Sequence, residues 1–420
     1  MRYLPLVVVV ILLTTTVGAG VVPPSVEGGE QRTSAVDATS SSAAQLDDEG
    51  DANMTNVLAI PASDLDRSEL RRHHADLGPA SEFDTDGTSD QLVTRALERD
   101  LESMDDTDRE ARLTEELDAI EDEIDELESR EQRAIGEFND GETTPREFVI
   151  ELAAIHLDAD ALRDRTELLE AEADSFDSEA LSKSRFDTVE YDLRMLEGPV
   201  RGHAVDVLRA EHPSDRIMIE TSNDAVSLTA IDDGEYIREV HRKGTRGDGD
   251  GEMTGDRAVE LVEQQYPILW ERRTSWSANG PGSLMLVDVN FDRGGFKAFY
   301  DGPSERNFIE HQELPLDTVT TGETVTKEQD GLNVSAEQTY AGGPLRLTVT
   351  DTETNEPVNA TITVGERGED SQTVGTTGDE GRLWTLSPRD SFTITVLGEG
   401  NDAAFVDVTP PAPEDVTPGA

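Results

Sequence analysis

Over residues 107–176 apolar side chains return at alternating steps of four and three. The first run is Leu113, Leu117, Ile120, Ile124 and Leu127, then Ala134 and Phe138. The second is Phe148, Leu152, Ile155, Ala159, Leu162, Leu169, Ala173 and Phe176, with Thr166 filling one position. That stepping is the seam of a coiled coil and predicts two helices. Between them, residues 136–144 contain Asn139-Asp140-Gly141, which favours a turn. Thr144 and Pro145 supply a cap and a first helical residue for the second arm, and Thr107 with Glu110 fits a capping box on the first. A short connection and matched arms predict an antiparallel hairpin within one chain. A seam pairing with a second chain is the alternative.

Ahead of the hairpin, residues 1–19 read as an export signal: Arg2, an apolar run over 4–13, and the small-residue site Val17-Gly18-Ala19. A run of about ten residues is short for a membrane span of ~20. An uncleaved N-terminal anchor is the alternative, and the only membrane attachment expected. Residues 20–56 are rich in Ser, Ala and Asp and predict a flexible spacer. Segment 57–106 is expected to hold one short strand at 57–60 and one short helix at 91–104, with Leu92, Ala96 and Leu101 on one side. Residues 67–77 are too polar to assign.

From 185 to 315 the pattern changes to helix followed by strands, twice over. The first round has a helix at 204–210, strands at 217–220 and 226–231, the turn Asp232-Asp233-Gly234, and a strand at 236–241. The second has a helix at 256–266, strands at 284–290 and 296–300, the turn Asp301-Gly302, and a strand at 307–312. The closing strands match weakly, Tyr236-Ile237-Arg238-Glu239 against Phe308-Ile309-Glu310-His311. Residues 316–330 are Thr-rich and read as a linker. Period-two alternation then predicts strands at 345–350, 360–364 and 391–397, and turn residues between them suggest a β-sandwich over 331–409. Residues 410–420 form a Pro-rich tail. The expected fold class is multidomain α+β: an antiparallel helical hairpin, an α+β region, then a C-terminal β-sandwich.

Three resemblances follow. The order helix, strand, strand, Asp-Gly turn, strand, with the run from Leu286 through Asp301-Gly302 to Glu310-His311-Gln312, is similar to the PepSY domain and implies a PepSY-like tandem α+β region over 185–315. That family occurs in protease propeptides, where it can inhibit the enzyme, and as a stand-alone extracytoplasmic module. Val349-Thr350-Asp351, Glu356-Pro357-Val358, Ala360-Thr361-Ile362-Thr363-Val364 and Thr377-Gly378-Asp379-Glu380-Gly381-Arg382-Leu383 resemble the carboxypeptidase regulatory-like (transthyretin-like) domains, an Ig-like module that supports and binds. The whole order resembles an uncharacterised family of exported haloarchaeal proteins.

Charge changes this picture. The chain carries 91 acidic against 35 basic residues, a formal charge of −56. Only four of the basic residues are lysines: Lys183, Lys243, Lys297 and Lys327. Such a chain repels itself in dilute salt, whereas at molar salt the screening length falls to ~3 Å. Acid-rich, lysine-poor composition therefore reads as adaptation to high salt. It excludes nucleic acid, which needs a basic footprint. The absence of cysteine excludes disulfides, thiolate metal sites, cysteine nucleophiles and a lipid-modified N-terminal Cys.

Candidate chemistry is sparse. The seven histidines form no H-E-x-x-H and no i, i+4 helical pair, and His73-His74 reads as solvated surface. There is no G-x-S-x-G and no P-loop. Asp248, Asp250 and Glu252 alternate with glycine and could hold calcium through carboxylate oxygens, although Met253 stands where an EF-hand needs glycine. Asn53, Asn333 and Asn359 head glycosylation sequons. No catalytic residue and no cofactor is expected. The expected function is that of a non-enzymatic secreted or cell-surface protein of a halophile, structural or protein-binding. The alternative is a PepSY-like inhibitor or chaperone of an exported protease.

Overall fold

The seam residues fold as two helices, and the caps set where they start. The computed structural model describes residues 56–416 except 248, 250, 367–370, 399 and 401, so the expected export signal, nearly all of the spacer and Asn53 lie outside the described residues. Ahead of the helices come β1 (Asn56–Val57), β2 (Arg67–His73) and a long helix α1 (Leu77–Ser103). Helix α2 (Asp106–Asn139) is capped by Asp105, whose carboxylate accepts from the N–H groups of Thr107 and Asp108. The cap is thus two residues earlier than the Thr107 capping box predicts: an aspartate there satisfies two orphan donors and meets the positive helix end. Helix α3 (Pro145–Ala173) carries the reciprocal Thr144–Glu147 capping box with Pro145 in its first turn. The two run antiparallel. Phe138 stacks on Phe148 at the turn, ring centroids 4.5 Å apart, and Arg130 reaches Glu151 at 2.9 Å and Asp158 at 2.6 Å.

These helices are one layer of a core. With α1, α4 (Lys183–Arg194) and α5 (Pro199–Leu208), their seam side chains form one apolar cluster that continues into Ile217, Ile219, Val226, Leu228, Ala230 and Ile237. Those last residues belong to β3 (Asp215–Thr221), β4 (Ala225–Asp232) and β5 (Glu235–Arg242). The hairpin's turn docks there as well: Asn139 Nδ2 donates to the Ser222 carbonyl at 2.9 Å, and the Arg67 guanidinium lies 4.0 Å above the Phe138 ring. A free-standing rod is therefore not what folds. Apart from the buried Glu131, most acidic residues of α2 and α3 lie on the outer side of a helical layer whose apolar side covers a sheet.

After β5 come α6 (Gly255–Gln265), α7 (Pro267–Arg272), β6 (Ser275–Asn279), β7 (Leu284–Asn290), β8 (Gly295–Asp301) and β9 (Arg306–Pro315). The sheet has eight antiparallel strands in the order β2-β3-β4-β5-β9-β8-β7-β6. The two rounds of the sequence do not make two modules. Their closing strands pair with each other, Glu239 opposite His311 and His241 opposite Ile309. Their helices cover opposite faces: α5 joins the helical core, while α6 packs with Met285, Val287, Val289 and Phe296 on the other side.

The C-terminal strands are β10 (Thr324–Gln329), β11 (Leu332–Gln338), β12 (Pro344–Asp351), β13 (Thr361–Glu366), β14 (Gln372–Thr376), β15 (Arg382–Leu386), β16 (Phe392–Leu397), β17 (Ala403–Val408) and the short β18 (Glu414–Asp415). Two four-stranded sheets, β10-β11-β12-β15 and β14-β13-β16-β17, enclose alternating apolar residues such as Val334, Leu347, Ile362, Ile394 and Val406. Such alternation is what a two-sheet sandwich requires. The architecture is multidomain α+β, with a β-sandwich at the C-terminal end.

Several expectations need correction. The strand at 57–60 is only Asn56–Val57, followed by buried Leu58, Ala59 and Ile60. The short helix at 91–104 starts at Leu77, because the sparse apolar residues around Gly78, Pro79 and Gly87 hid its first half. The polar segment 67–73 is the edge strand β2, with Leu70 and His73 buried. The linker 316–330 contains β10, which joins β11 through Asp330-Gly331, both at positive φ. The tail from 410 returns to the start of the described chain: β18 pairs parallel with β1, and the Val416 N–H donates to the Val57 carbonyl at 3.1 Å.

Candidate functional site

The junction of helical layer and sheet centre gathers the strongest buried charges. Helix α5 begins at Gly198, extended at φ −173°, and has no side chain there to cap it. The cap comes instead from β5. One Glu239 oxygen accepts from the Val200 N–H at 2.9 Å and the Arg201 N–H at 3.2 Å, and the other accepts from Arg201 Nε at 2.8 Å. A carboxylate at a helix N-terminus meets both unpaired donors and the positive dipole end. Helix α2 adds Glu131, which takes Arg201 Nη2 at 2.6 Å and Lys243 Nζ at 2.9 Å. Arg201 and Glu239 are 0 % exposed and Glu131 1 %.

Electrostatics follows from these contacts. Burial works against a charge on Glu131, but Lys243 and Arg201 beside it hold its carboxyl well below the usual carboxylate range. Burial likewise opposes the charge on Lys243, and Glu131 and Glu128 outweigh it, raising the ammonium pKa. His241 lies 3.3 Å from Arg201 Nη2, and its Nε2 is 3.5 Å from His311 Nε2. Burial, then the nearby positive groups, pushes His241 down and His311 well down. His156, whose Nδ1 accepts from the Gly198 N–H at 3.4 Å, is lowered by burial too. Three imidazoles held toward the neutral form thus flank one buried ion network.

A cleft of about 490 Å³ opens beside this network, lined by His156, Arg163, Glu197, Gly198, Lys297 and His311 among others. Its charged groups are largely committed. Arg163 Nε bonds Glu197 at 2.9 Å, and Arg194 bonds Glu190. Burial raises the Glu197 carboxyl, and raises the nearby Asp192 to about 6. The lining includes no serine, threonine, tyrosine or cysteine, so it offers proton carriers and hydrogen-bonding groups without a hydroxyl or thiol nucleophile. Gly198 is required by the geometry: a Cβ there would lie 2.0 Å from Glu239 Oε2. Gly198→Ala should therefore drive the carboxylate off the helix terminus and destabilise the fold by about 1–3 kcal/mol, an overpacking cost. Denaturant titration of the two proteins checks this.

The other face of the sheet holds a second cluster. Glu310 accepts from the Leu58 N–H at 2.7 Å, the Tyr266 hydroxyl at 2.5 Å and Gln312 Nε2 at 2.9 Å, and pairs with Arg238. Burial raises its carboxyl despite Arg238. Tyr236 meets Tyr340 of the loop after β11, and Arg216 donates to Thr385 Oγ1 at 3.1 Å, so polar contacts run from the sheet into the sandwich.

The residues singled out in the sequence fare differently. Asp248 and Asp250 lie outside the described residues, and Glu252 is exposed. The neighbouring loop packs on the turn after β8, where the Gly247 N–H donates to Asp301 Oδ2 at 2.9 Å. Asn333 is half-buried on β11, and Asn359 is exposed with its side-chain Oδ1 accepting from the Gly378 N–H at 3.1 Å. His73 is buried on β2, not solvated surface, since the strand turns it inward while His74 stays exposed. Among the described residues one group offers three metal-ligand atoms within 4.8 Å of one another: His203, His212 and Asp232. Sequence spacing did not flag it, because the two histidines are nine apart and meet only through the turn after α5.

Fold and site together describe a multidomain α+β protein. An archaeal fibronectin-III type-like domain matches residues 323–405. A family of unknown function, DUF7094, matches 217–320, and a domain of unknown function, DUF7096, matches 1–213. The last match spans half of the chain, which therefore belongs to the DUF7096 family. No curated protein and no solved structure matches the chain. The boundary near 215 cuts through the fold: β2 from the first region pairs with β3 of the second, and one apolar core takes residues from both.

Proposed function

We propose that this chain is an exported, non-enzymatic protein of a high-salt organism, and that it serves as a scaffold that binds another protein. The observation carrying this reading is the open sheet edge at β6. Four of its five residues are exposed, and Trp276, 46 % exposed, stands beside Trp270, which is itself covered by the Arg273 guanidinium at 3.8 Å. An open edge strand is a template for pairing with an extended segment. The commitment of the central buried charges to holding layers together supports the non-enzymatic part, and the acid-rich, lysine-poor composition supports the high-salt part. No helix among the described residues is long and apolar enough to cross a membrane.

Crosslinking of the intact protein to exported host proteins at molar salt tests this. A specific crosslinked partner should be lost in Trp276→Pro, which removes an outward-facing backbone donor and the exposed indole from the edge, with the circular dichroism of the parent retained. Partner binding indifferent to Trp276→Pro would remove the edge from the proposal. Turnover by the pure protein, abolished by a single substitution, would overturn the non-enzymatic reading. The PepSY-like alternative uses the same open edge and is distinguished by outcome: the captured partner would be a protease whose activity falls on binding.

A further inference from the structure

We infer that His203, His212 and Asp232 form a binding site for a divalent transition-metal cation, with zinc the best chemical fit. The site starts at His203, in the middle of α5, and is completed by His212 beyond the helix and Asp232 at the end of β4. His203 projects from α5 towards the end of β4, where Asp232 precedes a two-residue hairpin turn with Asp233 and Gly234 both at positive φ. The chain after α5 reverses sharply. Ala210 adopts φ +62°, the Glu211 and His212 N–H groups both return to the Asp206 carbonyl, and His212 is carried back beside His203. The ring centroids of the two histidines are 5.5 Å apart.

The distances suit a shared ion. His203 Nδ1 is 3.5 Å from Asp232 Oδ2, and His212 Nδ1 is 3.3 Å from Asp232 Oδ1. A tetrahedron with bonds of ~2.0–2.1 Å has edges of about 3.3–3.4 Å; the two spacings come close to this but run to the two oxygens of one carboxylate, so a small rotation of Asp232 presents a single oxygen to the ion. Neither contact is a hydrogen bond: His203 Nδ1 and Asp232 Oδ1 are buried and have no hydrogen-bond partner. His203 is only 5 % exposed, so a lone pair left there faces nothing else that would satisfy it.

The surroundings fix the chemistry further. His203 Nε2 sits 3.1 Å from Asp215 Oδ2. An Nε2–H donating to that carboxylate leaves Nδ1 as the free lone pair, the carboxylate–histidine–metal arrangement that orients a ligand and raises its basicity. The carbonyl end of α5 is its negative dipole end and favours a cation. Two imidazoles and one carboxylate select zinc-class metals over calcium, which takes six to eight oxygens. His212 and Asp232 are partly exposed, at 28 % and 30 % of their side chains, so ions have access. Three protein ligands leave a fourth position for water.

The test is cobalt(II) and zinc titration of the chelator-stripped full chain in molar NaCl. Visible d–d absorption reports four- or five-coordinate cobalt, and calorimetry gives the zinc stoichiometry. One equivalent should bind, with cobalt bands that zinc displaces. His212→Gln and Asp232→Asn, both at partly exposed positions, should keep the circular dichroism of the parent and weaken affinity at least 100-fold. Asp215→Asn should weaken it 10–100-fold. Binding unchanged in His212→Gln and Asp232→Asn, or only weak multi-site binding without d–d bands, would overturn the site.

Discussion

Arg201→Met should cost the folded state about 3–5 kcal/mol, the penalty for removing one partner from a buried ion network. The guanidinium is fully buried between Glu131 of α2 and Glu239 of β5 and also donates to the Leu196 carbonyl at 2.9 Å. Methionine fills much of the space but leaves two buried carboxylates with fewer counter-charges. Lys243 still neutralises Glu131, whereas Glu239 retains only the backbone donors of α5. The loss is therefore traced to charge rather than volume. Adding Glu131→Leu, Glu239→Gln and Lys243→Met should recover most of it, because an apolar or neutral replacement of a whole buried network is often close to neutral. Urea titration in molar salt measures both steps. An unchanged midpoint in the single variant would mean that the network contributes no cohesion.

The second large effect is acid lability. His73, lowered to about 4, and His156, His241 and His311 are held neutral by burial, each below the ordinary 6.5. The unfolded chain therefore takes up protons that the folded chain refuses. Stability from this source is complete above about pH 6.5 and falls progressively below it. Each such histidine contributes a slope of up to ~1.4 kcal/mol per pH unit, so four approach about 5.5. Asp192, raised to about 6, and Glu197 act in the opposite sense, since they hold protons more tightly when folded and so add stability as pH falls through their raised values. The net slope is smaller than the histidine total. Below about pH 4.5 the depressed Glu131 adds to the loss. Denaturant midpoints of the parent and His311→Gln from pH 8 to 5 isolate one group. The parent's stability relative to the variant should shrink by about 1 kcal/mol per unit below pH 6.5, and a pH-independent difference would refute the assignment.

The strongly periodic segments were legible in the sequence, and so was the alternation of the sandwich strands. What escaped was set by partners far away in the chain. Strand β2 is polar because it is an edge strand, and its inward side chains, Leu70 and His73, make sense only against β3 and the elements around it. Strand β6 shows almost no burial, so no apolar pattern exists to read. The buried hub did leave one trace. The seam steps from Leu127 to Ala134 with Glu131 in the intervening position, an acidic residue where an apolar one belongs. Read as a required buried charge, it points to an arginine partner. The His203–His212–Asp232 group leaves no comparable trace, because a positive-φ alanine and a hairpin turn create it.

The pairing of β1 with β18 has a kinetic consequence. The Ala59 N–H bonds Asp415 across 356 residues, and Arg242 in the sheet holds the same carboxylate. Closing so long a loop is slow and comes late in folding. On the ribosome the helical layer and the sandwich can collapse early, but this clasp cannot close until residue 415 has been made. A chain interrupted before that point lacks the β1–β18 pairing and leaves Val57 and Ala59 without Val416 packed against their cluster.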